Sequence, residues 1–207
     1  MGSRVEVEDG LVNHFKEIMT KYNNERDQDI DRIISLIPNI VTREDNENLT
    51  KPISMQEVEG VMQQMDQGKS LGPDEFTTNF FHHFWDMPKE KVWAIVEESR
   101  TNKGVLKDFN PTFLALIPKS EGADAPGKFR PIALCNVIYK IISKVIANRL
   151  KPLLLGIISP EQSWFVEGRK ILDGIITVQE AIHSLKCTRI PGMLIKLDIA
   201  KSYDKLS

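Results

Sequence analysis

The chain has 207 residues, 41% hydrophobic, 27% charged and 7% aromatic. That suits one large or two small globular domains, which need neither disulfide nor metal to fold. The longest apolar run, Leu153 to Ile158, is far short of the roughly 20 residues of a membrane-spanning helix. The opening Met1–Glu6 lacks the apolar core of a signal peptide, and Glu6 breaks the myristoylation pattern. Two cysteines, Cys135 and Cys187, offer no disulfide framework and no metal-ligand spacing. These features argue against secretion, membrane insertion and zinc-finger chemistry, and an intracellular location is expected, with no disulfide partner. The net charge of −2 hides a polarity: residues 1–68 hold 7 Lys+Arg against 14 Asp+Glu, whereas residues 126–207 hold 13 against 6. The basic excess could meet a polyanion or be a solvated helix face, and a pI near 6.1 argues against tight nonspecific duplex binding.

Leu11, Phe15, Ile18, Met19 and Tyr22 line one face of a predicted first helix. A second apolar stretch, Ile33 to Ile37, is ended by Pro38, which lacks a backbone donor, and residues 38–52 read as a linker. Ser54 and Glu57 form a capping box ahead of a helix with Val58, Val61, Met62 and Met65 on one face. Residues 66–74 form a loop rich in Gly, Ser and Pro. Phe76, Phe80, Phe81, Phe84 and Trp85 predict a short buried helix. Pro88 opens the next, with Val92, Ile95 and Val96 apolar. Phe113–Ile117 reads as a strand, paired with Ile132–Leu134 across a turn at 120–128. The strongest helix covers 136–155, with an apolar stripe of Val137, Ile138, Ile141, Ile142, Val145, Ile146 and Leu150. Another covers about 170–186, with Ile171, Ile175, Val178, Ile182 and Leu185. Pro191-Gly192 then turns the chain into a short β-type run, 193–198, that ends on Asp198.

Few of these segments carry chemistry on their own. Gly68-Lys69-Ser70 looks like the end of a phosphate-binding loop, but Gln63 stands where that motif needs glycine. The loop is either a structural turn or a close approach to a phosphate backbone. His82 and His83 fall in the aromatic cluster and suit packing better than metal binding. Asp198 is a carboxylate at a strand end, a costly place unless it is solvated, paired or metal-bound. Phosphoryl-transfer sites use such groups to hold magnesium, and a surface strand end explains it as well.

Taken in order, several motifs resemble those of the reverse transcriptases of non-LTR retrotransposons, particularly the LINE-type elements of plants. Lys69-Ser70-Leu71-Gly72-Pro73-Asp74 resembles the K-S-x-G-P-D-G loop. Asn110-Pro111-Thr112 through Leu116-Ile117-Pro118-Lys119 resembles the N-x-T…L-I-P-K strand. Phe129 to Asn136, followed by Tyr139-Lys140-Ile141, resembles the R-P-I-S-L-x-N…Y-K-I block. Gln162, Phe165-Val166, Gly168-Arg169, Ile171 and Asp173 match Q-x-x-F-V-x-G-R-x-I-x-D, and Lys196 to Asp204 matches the first palm motif. The similarity covers about residues 66–207 and is weaker over the acidic N-terminal third.

The resemblance implies an α+β fold: the fingers and partial palm of a right-hand polymerase, helix-rich and incomplete, over residues 53–207, behind an acidic helical lead-in and linker at 1–52. It implies RNA-directed DNA synthesis by the parent enzyme, with an RNA template, a DNA primer and Mg2+. Asp198 would be the metal-binding palm carboxylate, and Ile199 would lend its backbone to the metal or triphosphate site. Tyr203 would be the steric gate under the incoming sugar. Arg130 would contact the triphosphate, a task suited to a planar, always-charged guanidinium. Lys69, Gln162 and Arg169 would run along template or primer, or serve structure instead. No Asp-Asp pair occurs in the chain, so the family's aromatic-x-Asp-Asp hairpin is missing. The expectation is a truncated reverse transcriptase domain, inactive alone; the alternative is a noncatalytic RNA- or DNA-binding fragment that uses its basic region. The chain departs from the pattern at Leu71, at Trp164, Glu167, Gly174 and Ser202, and at Glu75, where the family's glycine suggests a turn geometry that glycine tolerates best.

Overall fold

The computed structural model describes residues 4–20, 40–159, 168–189 and 191–193. They fall into two compact units, one of residues 1–39, 118–129 and 160–207, the other of residues 40–117 and 130–159.

The second unit is helical around one apolar core. Its helices are α2 (Arg43–Thr50), α3 (Met55–Gln63), α4 (Thr78–His83), α5 (Lys89–Thr101), α6 (Lys103–Phe109) and α7 (Val137–Ile157). Val58, Val61 and Met62 of α3, Val92 and Val96 of α5, and Val137, Ile141, Ile142 and Val145 of α7 are buried together with Ile53 and Phe81. These are the faces that the i, i+3, i+4 spacing selects, because each puts its apolar side chains on one side of a 3.6-residue turn. Pro88 stands at the N-cap of α5, as expected. Asn102 caps α6, its Oδ1 accepting from Gly104 N at 2.9 Å.

Four expectations change. Residues 43–50, read as linker, form α2, opened by a capping box between Thr42 and Asp45; the helix has no buried residue, so no apolar periodicity announced it. Ser54 caps α3 at 3.2 Å through Glu57 N, but the Glu57 carboxylate does not close the box; Arg149 takes it. The aromatic cluster is only partly buried. Phe81 enters the core, while Phe76, Phe80 and Phe84 are exposed and lean on one another, ring centroids 5.0 and 5.1 Å apart. A six-residue helix offers one face to the core, and residues spaced by four share the other. The stripe on α7 is also wider than its partners: Ile146 and Leu150 are exposed.

Arg149 fastens α7 to the start of the unit. Its guanidinium grips Glu57 with two hydrogen bonds, 2.7 and 2.8 Å, and donates to the carbonyls of Leu49, Lys51 and Pro52. The same segment is held from α5. Glu97 accepts from Ile53 N at 2.7 Å, Trp93 Nε1 donates to Ile53 O at 2.8 Å, and Arg100 reaches Thr50 O.

β1 (Thr112–Pro118) and β2 (Phe129–Cys135) form a two-stranded sheet, as the sequence led us to expect. The connection contains a 3-10 turn, Pro126–Lys128, and is tied by Lys119 N to Lys128 O at 2.9 Å. In the first unit, α1 (Arg4–Thr20) packs against this turn. Phe15 of α1 is buried, with Leu11 and Ile18 half-buried, on the face expected. The last helix, α8 (Ile171–Thr188), also forms where expected, but Ile175, Val178 and Ile182 are exposed among the described residues. The β-type run ending at Asp198, and Ile33–Pro38, lie outside the described residues. Among the described residues no helix is long and apolar enough to cross a membrane.

Candidate functional site

Three of the five segments that carry the family resemblance, the loop 69–74, the start of the 110–119 stretch and the block 129–141, meet in the second unit at the junction between β2 and α7. Asn136 leaves the strand and stands at the N-cap position of the helix without a side-chain cap bond, and it is 6% exposed. Its Oδ1 accepts from Asp74 N at 3.2 Å, across 62 positions of sequence, and its Nδ2 donates to Phe109 O at 3.4 Å. Gly72 lies against this junction so closely that a Cβ there would sit 2.5 Å from Asn136 N and Oδ1 and 2.6 Å from the Cys135 carbonyl carbon. One turn along α7, Lys140 Nζ donates to Ser70 O at 2.7 Å. The loop 69–75 is thus latched at three points, by the Lys140 ammonium, by the absence of a side chain at Gly72, and by the Asn136 amide.

The loop closes with local turns. Asp74 Oδ1 accepts from Phe76 N, and Glu75 N donates to Gly72 O at 3.1 Å. Glu75 has φ +61, in the left-handed region that costs an L-residue about 1–2 kcal/mol. The strained geometry suspected from the sequence at this position is therefore present. Glu75→Gly is expected to stabilise the unit by about 1 kcal/mol after the added freedom of the unfolded chain is subtracted. A rise in the urea midpoint checks this; an unchanged or lower midpoint would show that the loop holds this conformation without strain.

The other candidate residues are less gathered. Arg130 is the second residue of β2, exposed and without an ion-pair partner among the described residues. Six residues of strand, about 20 Å, separate it from Asn136. Lys69 is exposed beside the latched Ser70. Arg169 is half-buried, next to Gly168, whose φ of +84 explains a glycine there. Asp173 of the same motif accepts from Lys170 N at 3.3 Å at the start of α8, which makes it a helix cap. Asp198, Ile199, Tyr203 and Gln162 lie outside the described residues. Among the described residues no group of three or more His, Cys, Asp or Glu could hold a metal ion. His82 is half-buried and bonds the Met65 carbonyl at 3.2 Å, in line with packing, whereas His83 is exposed and bonds the Asn79 carbonyl one turn back at 3.1 Å, which corrects the packing expectation for that residue.

The basic excess is partly spent inside the chain. Lys128 pairs with Asp124 at 2.5 Å, Lys140 holds Ser70, and Arg149 is fully engaged. Among the described residues these three cations are engaged within the chain. Arg149, which makes more hydrogen bonds across long sequence separations than any other described residue, and Asn136 were not singled out from sequence. Asn136 was legible only as a motif letter. Arg149 carried no signal beyond its place on a helix.

Residues 117–207 match the family described as reverse transcriptase (RNA-dependent DNA polymerase). The chain is 29% identical over 167 residues, 81% of its length, to the 149 kDa protein of transposon TX1 from Xenopus laevis. It is 24% identical over 160 residues, 77% of its length, to a Pol polyprotein of the type-1 retrotransposable element R2 from Nasonia vitripennis. It is 29% identical over 103 residues, half its length, to the R2 polyprotein from Bradysia coprophila. The chain spans 13%, 15% and 11% of the lengths of these relatives. Residues 117–207 are accordingly similar to a reverse transcriptase domain, and the chain is similar to part of proteins from the transposon TX1 and from R2 retrotransposable elements.

Proposed function

We propose that residues 53–207 are the fingers and first palm motif of a right-hand polymerase whose parent activity is RNA-directed DNA synthesis, in the manner of the LINE-type elements of plants. The observation that carries the reading is the latch. Two motifs of the resemblance, the loop 69–74 and the block 129–136, are far apart in sequence and closed on each other by Gly72 and Asn136. Such closure is what a shared framework would require, and it leaves Lys69 and Arg130 exposed. In this reading Asp198, with the Ile199 backbone, would hold Mg2+, which offsets charge on the triphosphate. Tyr203 would gate the sugar, and Arg130 would face the triphosphate. Lys69, Gln162 and Arg169 would follow an RNA template and DNA primer.

The test uses the full chain with an RNA template, an annealed DNA primer, Mg2+ and labelled dNTPs. Without an Asp-Asp pair in its 207 residues, extension above background is not expected; measurable extension would overturn the account of an incomplete site. Binding of the same primer–template is expected to weaken with salt, and Lys69→Ala should reduce the slope of log K against log salt by about 1. A flat salt response, or an unchanged slope in the variant, would reject a nucleic-acid track along this loop. Binding that depends on α8 cations rather than Lys69 would favour the noncatalytic binder.

A further inference from the structure

Helix α8 carries a pair of metal-ligand types, His183 and Cys187, that the polymerase reading does not use and that corrects the expectation of no metal-ligand spacing at Cys187. His183 and Cys187 are spaced by four and therefore share one face of the helix. Both are exposed. His183 Nε2 and Cys187 Sγ stand 3.4 Å apart. A tetrahedral zinc ion takes nitrogen at about 2.0–2.1 Å and sulfur at about 2.3 Å, which places the two ligand atoms about 3.5 Å from each other. The contact is a hydrogen bond, and its length matches the span between two ligand atoms of a tetrahedral chelate, so the pair reaches a shared ion by rotation of two exposed side chains on one helix face.

We propose that His183 Nε2 and Cys187 Sγ form a two-ligand site for a thiophilic divalent cation of the zinc class, with water or an outside ligand filling the remaining positions. Binding converts Cys187 from thiol to thiolate and releases one proton to solvent for each ion bound. The imidazole binds as its neutral form through Nε2, leaving Nδ1 to carry the ring proton. Mg2+ demands oxygen ligands in octahedral geometry and is excluded by the donor set. The site is therefore distinct from any magnesium held at Asp198 and does not depend on the polymerase reading. An ion bridging one turn also ties that turn together, so its binding protects the C-terminal end of α8.

The experiment titrates the reduced full chain with Cd2+ and follows the thiolate-to-metal charge-transfer absorbance, then displaces Cd2+ with Zn2+. One equivalent is expected, and the band should survive Cys135→Ser and vanish in Cys187→Ser. His183→Ala should bind about tenfold more weakly or worse, as a chelate falls to a single ligand. As a check free of substitution at the site, the single thiol of the Cys135→Ser chain is alkylated: the band should disappear, and prior Zn2+ should slow the alkylation. The proposal is overturned if no band forms, if the band follows Cys135, or if His183→Ala binds as tightly as the parent.

Discussion

Arg149→Ala is expected to lower the unfolding free energy of the unit formed by residues 40–117 and 130–159 by about 3–5 kcal/mol. The side chain of Arg149 is 10% exposed and that of Glu57 22%, so the pair is largely withdrawn from water. Removing the guanidinium leaves the Glu57 carboxylate half-desolvated without its cation, and it strips a donor from the Leu49, Lys51 and Pro52 carbonyls. The cost is the desolvation of the groups left behind more than the attraction lost. Arg149→Lys should restore little, because one ammonium cannot reproduce a fork that serves two carboxylate oxygens and three carbonyls at once. The Arg149 hydrogen bonds also hold the Glu57 carboxyl below its ordinary range, and Arg100 does the same for Glu97. A depressed carboxylate contributes stability that is present above its unfolded value and is lost as pH falls through the folded one. The parent should therefore weaken on acidification below the ordinary carboxylate range, and Arg149→Ala should weaken less steeply. Urea unfolding followed by tryptophan fluorescence, at neutral and acid pH, reads both effects. A variant within 1 kcal/mol of the parent at neutral pH would show that the pair is worth no more than a surface ion pair.

How much of this was legible in the sequence depends on the range of the interaction. Helices α3, α5 and α7 and the β1–β2 pair were readable because their signals are local: a cap residue, a proline, a periodic apolar face. α2 was missed because it buries nothing, and its Thr42–Asp45 capping box sits in a polar stretch that periodicity ignores. The exposure of Phe76, Phe80 and Phe84 was missed because apolar spacing states which residues share a face and leaves open what covers it. The same holds for Ile175, Val178 and Ile182 on α8. Glu57 shows the limit most directly. Its sequence context, Ser54 three residues earlier, announces a capping box, and a cation 92 positions away outcompetes it. The resemblance supplied what local physics lacked. It marked Gly72, Asn136, Lys140, Gly168 and Asp173 as letters of motifs. The structure gives each a mechanical reason: close approach, latch, latch, left-handed turn and helix cap. A motif letter can therefore report a closure of the fold as readily as a contact with substrate.

Gly72→Ala is the substitution that should open the latch. The added methyl would meet Asn136 N, Asn136 Oδ1 and the Cys135 carbonyl carbon at 2.5–2.6 Å, distances no Cβ contact sustains. Two of those three atoms are backbone at the end of a strand and the start of a 21-residue helix, which cannot retreat without disturbing the core that Val137, Ile141 and Ile142 build. The loop is the softer partner and is expected to lift. That would break Asp74 N to Asn136 Oδ1 and strand the buried Asn136 acceptor, and it would pull Ser70 away from Lys140. Overpacking of this kind costs about 1–3 kcal/mol, and a buried amide oxygen left without a donor adds about 1–3 kcal/mol. Hydrogen exchange separates lifting from global unfolding. The Asp74 amide should lose its protection in the variant, while amides in the middle of α7, such as Ile141, remain protected to within the change in global stability. Glu75→Gly should not rescue the variant, because it relieves a dihedral and not a clash. Asn136→Ala should produce the same loss at Asp74 without any added bulk, so agreement between the two variants would locate the effect in the latch itself. Retained protection at Asp74 in Gly72→Ala would mean that the strand–helix junction yields instead, and that the loop is the more rigid of the two.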